Sequence, residues 1–169
     1  MSKAHTELYY HLVWSTKYRE PFIRPEIQGP LYTFIGHKCK QCGYGLHGVN
    51  GTEDHIHIVL DFGPTISVAQ AVANLKGSSS RFCNRVFAGN PTLRWQTGYA
   101  ALTISSRDLS RVVNYVKNQK ARHRVDRPNL TLEAVDEPES TQRRRWEREP
   151  RNGSTPSRKV SEETDRGRA

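Results

Sequence analysis

The chain has 169 residues, enough for one domain with a single packed core. Lys and Arg number 26 against 17 Asp and Glu, and the whole excess of +9 falls in residues 1–124, which favours a polyanionic partner such as a nucleic acid. The longest uncharged run, residues 62–75, falls short of the roughly 18 residues of a membrane span, no secretory signal is visible, and three cysteines make no disulfide framework, so we expect a cytoplasmic protein without membrane contact.

Seven elements are predicted in chain order from the spacing of apolar residues. Alternation at every second residue indicates strands, and apolar residues three and four apart indicate helices. Ser67 with Gln70 fits a capping box, and Asn50 followed by Gly51 is a hairpin turn signal. The elements are a strand at 7–14, a helix from about Pro30 to Gly43, strands at 44–50 and 55–61, a helix from Ser67 to Gly89-Asn90-Pro91, a strand at 100–105 and a helix whose apolar stripe runs over 109–116.

The order β-α-β-β-α-β-α is typical of an α+β fold, the ferredoxin-like or RRM-like split βαβ sandwich. We expect a four-stranded antiparallel sheet with helices on one face and the other face open for a ligand or partner. This domain is predicted over residues 1–124. Residues 125–169 hold ten basic and ten acidic side chains and few apolar ones, so a disordered mixed-charge tail is predicted there, with Arg143–Arg145 as a minor candidate for nucleic-acid contact.

The segment His55-Ile56-His57 carries the first chemical signal. Alternate side chains of a strand share a face, so His55 and His57 are expected on the open face, with Ile56 towards the core. Two imidazoles in this arrangement can bind one divalent metal ion. The same pattern also occurs as two surface histidines on a half-buried strand, so by itself it leaves both interpretations open.

The flanking residues disfavour other histidine-based sites. Val59 stands where a histidine-triad hydrolase has its third histidine, and the His-x-Thr or His-x-Ser repeats of two-histidine phosphoesterases do not occur. Nothing marks the distant third histidine of a carbonic-anhydrase-like zinc site. Cys39 and Cys42 lie on the apolar stripe of the first helix and no second cysteine pair follows, so a zinc site there is rejected.

The last predicted helix offers a tyrosine and an amide. Tyr115 and Gln119 are four residues apart, so they lie one turn apart on the same side, at the edge of the apolar stripe. A tyrosine at such an edge is often only a packing residue. It can also reach a site beside the sheet, and the Gln119 amide oxygen could supply a third ligand to Mg²⁺ or Mn²⁺ beside the histidines.

Five motifs, in this order and spacing, carry a family resemblance. They are YYHLVWSTKYREP at 9–21, DHIHIV at 54–59, LKGSSSRF at 75–82, WQTGYAA at 95–101 and NYVKNQ at 114–119. Over about residues 5–124 the chain resembles the single-tyrosine HUH transposases of bacterial insertion sequences, the IS-two-hundred type, which include the REP-associated tyrosine transposases. HUH denotes His-hydrophobic-His, here residues 55–57.

The resemblance implies a metal-assisted DNA transposase, a single-strand endonuclease and ligase. Tyr115 would be the nucleophile that forms a 5′-phosphotyrosine, and His55, His57 and Gln119 would bind Mg²⁺ or Mn²⁺. The substrate would be single-stranded DNA with imperfect hairpins. The enzyme would be a homodimer in which the tyrosine helix of one subunit serves the histidine pair of the other, and no nucleotide cofactor is expected, because the phosphotyrosine keeps the free energy of the broken diester and no Gly-x-x-x-x-Gly-Lys loop occurs.

Basic and aromatic residues around these motifs are candidates for DNA contact. Phosphate contacts would be salt-dependent and largely independent of sequence, and aromatic rings could stack on unpaired bases. The basic candidates are Lys17, Arg19, Lys76, Arg81, Arg85 and Arg94, and the aromatic candidates are Trp95, Tyr18 and Tyr99.

Other functions stay open at this point. After Gln119 the family usually shows two adjacent histidines, where this chain has Arg122 and His123, so the copy could be decayed or domesticated. A split βαβ domain could also be a non-catalytic binder of single-stranded nucleic acid, although the Lys/Arg-Gly-Phe/Tyr signature of RNA-binding sheets is absent. A third alternative is a metal-dependent phosphodiesterase that uses water in place of tyrosine.

Overall fold

A computed structural model describes residues 5–88 and 92–118. These residues all belong to one compact unit. The described elements are β1 (Tyr9–Ser15), a 3-10 turn (Lys17–Arg19), α1 (Pro25–Cys42), β2 (Gly45–Gly51), β3 (His55–Asp61), α2 (Val68–Val86), β4 (Ala100–Ile104) and α3 (Leu109–Lys117). Gln119, Arg143–Arg145 and the predicted tail at 125–169 lie outside the described residues.

The four strands form one antiparallel sheet in the order β2-β3-β1-β4. The two central strands pair with Leu12 opposite Ile58 and Ser15 opposite His55. The predicted α+β split βαβ fold is therefore confirmed, with each predicted element present.

Helices α1 and α2 cover one face of the sheet and bury the main core. Leu12, Trp14, Ile56 and Ile58 point into this layer and are 0% exposed. Burial of such side chains is the largest favourable term in the stability of the domain.

Helix α3 packs on the opposite face, which the sequence predicted to be open. Its stripe residues Val112 and Val116 form a second core with Val59 of β3 and Ile104 of β4. These two strand residues point away from the main core, so the second face has its own apolar patch. An amphipathic helix covers such a patch because both lose apolar surface to water.

Two predicted boundaries differ from the structure, the start of α1 by five residues and the turn between β2 and β3 by two. Helix α1 begins at Pro25, which occupies its first turn. Pro30 therefore lies inside the helix, at an exposed position. The hairpin between β2 and β3 turns at 52–54, whereas Gly51 is still paired with Ile56. At the start of α2, the predicted cap is confirmed, because the Ser67 hydroxyl accepts a hydrogen bond from the Gln70 backbone N–H.

Two consecutive non-glycine residues adopt left-handed backbone conformations just after β1. Tyr18 has φ 59° and Arg19 has φ 54°. The segment is held by Thr16, whose hydroxyl donates to the carbonyls of Glu20 and Asp54.

Within the described residues, we find no helix that is both long and apolar enough to cross a membrane.

Candidate active site

Strand β3 presents its two histidines side by side on the face that α3 covers. Their ring centroids are 5.1 Å apart. His55 is 8% exposed and His57 is fully buried. The predicted placement of both imidazoles on one face, opposite Ile56, is thus what the structure has.

The Nδ1 atom of His55 is held by a carboxylate. It lies 2.7 Å from Asp54 Oδ1, and the hydroxyl of Thr52 lies within 2.8 Å of both atoms. Burial alone would raise the pKa of Asp54, but hydrogen bonds from His55, Thr52 and Arg19 and the charge of His55 hold that pKa well below its usual range. Because an ionised carboxylate only accepts, His55 donates from Nδ1, and in the neutral ring the lone pair therefore lies on Nε2.

The Nδ1 atom of His57 faces another imidazole. It lies 2.9 Å from Nε2 of His11, which projects from β1, and the two rings are stacked. Burial lowers the pKa of His11 from 6.5 to about 4, so this ring is neutral near pH 7. A neutral imidazole can accept one hydrogen bond and donate another.

Tyr115 reaches the same place from α3. Its ring centroid is 6.4 Å from that of His57, in an edge-on arrangement. Val112 and Val116, on the buried side of α3, anchor the helix against the sheet. The Asn50 side-chain amide donates to the carbonyl of Lys117 and fastens the end of α3 to β2.

The structure therefore brings His55, His57 and Tyr115 of one chain together, while Gln119 lies outside the described residues. Within the described segments, no third His, Cys, Asp or Glu joins the pair in a three-ligand cluster. Sequence reasoning missed His11 and Asp54. Asp54 adjoins the motif and could have been suspected, whereas only the pairing of β1 with β3 brings His11 to the site.

A cavity of about 540 Å³ lies on the other face of the sheet, between α2 and residues 94–99. Among its lining residues are Lys17, Arg94, Trp95 and Tyr99. Trp95 also bridges to Thr16 at the end of β1, and its indole N–H donates to Ser79 on α2. This surface, which we call the basic groove, thus starts at the strand end that carries the Ser15–His55 pair.

Two of the candidate DNA contacts have protein partners. The Lys76 ammonium donates to the backbone carbonyls of Gln96, Thr97 and Gly98. Arg19 donates to Asp54 Oδ2 at 2.7 Å.

Three further candidates are exposed. Tyr18 is 74% exposed beside the ammonium of Lys17. Arg81 and Arg85 are exposed on α2. DNA contact by any of these basic residues stays a prediction.

Comparison with known proteins relates residues 4–119 to one family, whose model is described as "Transposase IS200 like". The chain is 28% identical to the ISDra2 transposase TnpA of Deinococcus radiodurans over 121 residues, which is 67% of this chain and 84% of that protein. It is 27% identical over 125 residues to the transposase for insertion sequence element IS200 of Salmonella typhimurium, covering 70% of this chain and 82% of the other.

Solved structures have the same fold. A crystal structure of a Deinococcus radiodurans R1 protein described as a transposase matches with a TM-score of 0.57 and 26% identity, over 70% of this chain and 96% of that one. A REP-associated tyrosine transposase bound to a REP hairpin matches with a TM-score of 0.52, over 73% of this chain and 74% of that one. At 14% identity, the second match bears on the fold alone.

Proposed function

Because this chain belongs to the IS200-like transposase family, we propose that it cleaves and rejoins single-stranded DNA beside hairpins, with Tyr115 as the nucleophile. The observation that carries the proposal is the placement of the Tyr115 ring 6.4 Å from His57, beside a pair of imidazoles with defined hydrogen-bond partners. A packing tyrosine at a helix edge has no need of such neighbours.

The chemistry is an exchange of oxygens on phosphorus. The Tyr115 oxygen attacks a DNA phosphodiester as its phenolic proton leaves, the bond from phosphorus to O3′ breaks, and that oxygen takes up a proton as a 3′-hydroxyl. The product is a 5′-phosphotyrosine. A 3′-hydroxyl then attacks this phosphorus, the bond to Tyr115 breaks, and the DNA is rejoined. One phosphodiester is replaced by another ester, so no nucleotide is consumed.

The histidine pair fits a divalent cation such as Mg²⁺ or Mn²⁺. His55 donates from Nδ1, which leaves an Nε2 lone pair as the metal-binding group, and His57 has an Nδ1 partner in the equivalent position. We propose Gln119 as the oxygen ligand of the set. When bound, the cation would supply charge neutralisation at the phosphate.

The path of the DNA is proposed along the basic groove. This groove meets the end of β1 where Ser15 pairs with His55, so a strand held near Lys17 and Arg94 has a short route around the sheet end to the histidines. Unpaired bases would stack on Tyr18 or Tyr99, which are exposed. A solved member with the same fold carries a REP hairpin, which is the kind of DNA we propose here.

We also propose a homodimer. Strands β2 and β4 form the two edges of the sheet, and an edge can be extended by a strand of a second copy. In the single chain Tyr115 lies beside its own His57. For Tyr115 to act at the histidine pair of a partner subunit, α3 would therefore have to move away from this position.

The test uses labelled single-stranded hairpins with Mg²⁺ or Mn²⁺, chosen from palindromes that flank the gene. Denaturing gels should show DNA covalently attached to the wild-type protein. Tyr115→Phe should abolish both the adduct and cleavage while it retains DNA binding, because only the attacking oxygen is lost. Tyr32→Phe, the same change on α1, is the matched control and should cleave like wild type.

The outcomes separate the alternatives. A Tyr115→Phe variant that still cleaves would indicate a phosphodiesterase that uses water. Tight hairpin binding by a wild-type protein that forms no adduct and makes no cut would indicate a non-catalytic binder or a decayed copy. Either result would refute the proposed reaction.

A further inference from the structure

His11 is a third imidazole at the site, and no role has been assigned to it so far. In the sheet it pairs with Val59, so it lies diagonally across from His57 on the same face. Its Nε2 atom is 2.9 Å from His57 Nδ1. It therefore contacts His57 through the ring atom that would not bind a metal.

The other ring nitrogen of His11 makes this contact unusual. His11 is 1% exposed, and within the described part of the chain its Nδ1 atom has no hydrogen-bond partner. A buried polar atom without a partner lowers stability. Packing alone would favour an apolar side chain of similar size at this position, so the histidine calls for a role other than packing.

We propose that His11 is the positioning residue for His57, its Nε2 accepting the His57 Nδ1 proton and so placing the His57 lone pair on Nε2 for a divalent cation. The inference rests on the proposed metal-assisted function. His11 would fix the tautomer and the ring plane of His57, as Asp54 fixes those of His55. In the opposite arrangement, with His11 as donor, the His57 proton would sit on Nε2 and block binding.

The first measurement needs no metal and no activity. Nitrogen-15 NMR of the metal-free full chain near pH 7 should show His57 protonated on Nδ1 and His11 unprotonated on Nε2. In His11→Leu the acceptor is gone, and the His57 tautomers should become mixed. His11→Gln keeps an acceptor near the Nε2 position and should preserve the wild-type tautomer.

The second measurement is the Mn²⁺ dissociation constant of the full chain. Loss of such a partner weakens metal binding by roughly 10- to 100-fold, so His11→Leu should bind Mn²⁺ that much more weakly and His11→Gln should recover most of the loss. The urea midpoint of His11→Leu should be near the wild-type value, because removal of the unpartnered His11 Nδ1 offsets the loss of the acceptor for His57 Nδ1. If His11→Leu fails to fold, the proposal is tested by the Mn²⁺ affinity of His11→Gln and by the tautomer of His57 in the wild-type protein.

Several results would overturn the proposal. A wild-type His57 protonated on Nε2 would refute it directly. Equal Mn²⁺ affinity in wild type and a folded His11→Leu would refute it while leaving the proposed function in place. A wild-type protein that binds no Mn²⁺ would instead remove the metal from the proposed function, and the positioning role would fall with it.

Discussion

The close approach of Gly51 to the backbone of β3 leads to a sharp prediction about the site. A Cβ built at Gly51 would lie 2.1 Å from the carbonyl oxygen of His55 and 2.8 Å from the Cα of Ile56. Contacts below 3.0 Å are essentially never seen for real Cβ atoms, and here both obstacles are backbone. Gly51→Ala therefore requires the start of β3 to move by about 1 Å, a displacement of the kind that overpacking imposes.

The displacement should affect both stability and activity. Overpacking of this severity costs about 3 kcal/mol of unfolding free energy. A shift of about 1 Å in a catalytic group can lower rates by roughly 100-fold. Because His55 itself carries the obstructing carbonyl, Gly51→Ala should lower Mn²⁺ affinity and DNA cleavage as well as the urea midpoint.

Gly63→Ala is the matched control, because a Cβ at Gly63 meets no atom within 4 Å. Urea unfolding, Mn²⁺ titration and the hairpin cleavage assay should be run on both variants. The expected result is a wild-type-like Gly63→Ala and an impaired Gly51→Ala. If the two variants unfold and cleave alike, the reasoning from backbone contact is refuted.

Two further predictions concern His11, which is buried, and Lys76, which is half-buried. Burial lowers the pKa of His11 in the folded protein to about 4, whereas the pKa of the unfolded residue is 6.5. As the pH falls from 6.5 to 4, protons bind the unfolded state first, so the metal-free protein should lose about 3 kcal/mol of unfolding free energy. Urea unfolding across this range should give a flatter profile for His11→Gln, and parallel profiles would contradict the assignment. Lys76→Met removes three hydrogen bonds to the backbone of residues 96–98 and should lower stability by about 2 kcal/mol in the same assay. Unchanged stability with weaker, less salt-dependent DNA binding would instead mean that Lys76 acts mainly on phosphate.

Much of the fold was predictable because each element buries one face of a periodic pattern. Alternation located β3, and the stripe at 109–116 located α3. The side of the sheet that α3 covers was not predictable in the same way. An amphipathic helix indicates that it packs on something apolar, and the strand period places Val59 on the second face. Only the folded sheet shows that Val59 joins Ile104 of β4 in an apolar patch large enough for α3 to cover.

The candidate site was likewise predictable only in part. The spacing of His55 and His57 on one strand placed them correctly, since the period of a strand is local. The neighbours that hold their Nδ1 atoms depend on strand register and turn geometry. His11 is 46 residues from His57 in sequence, so no local pattern could reveal the contact. Likewise, the carbonyl partners of Lys76 come from a loop about 20 residues away.

The left-handed backbone at Tyr18 and Arg19 bears on any effort to make this protein more heat-resistant. Each such residue costs about 1–2 kcal/mol relative to ordinary backbone, a cost from which glycine is exempt. Selection for thermostability alone would thus favour glycine at position 18. The same substitution would remove the exposed aromatic ring beside Lys17. A more heat-stable variant obtained in this way should therefore be tested for weaker binding of single-stranded DNA.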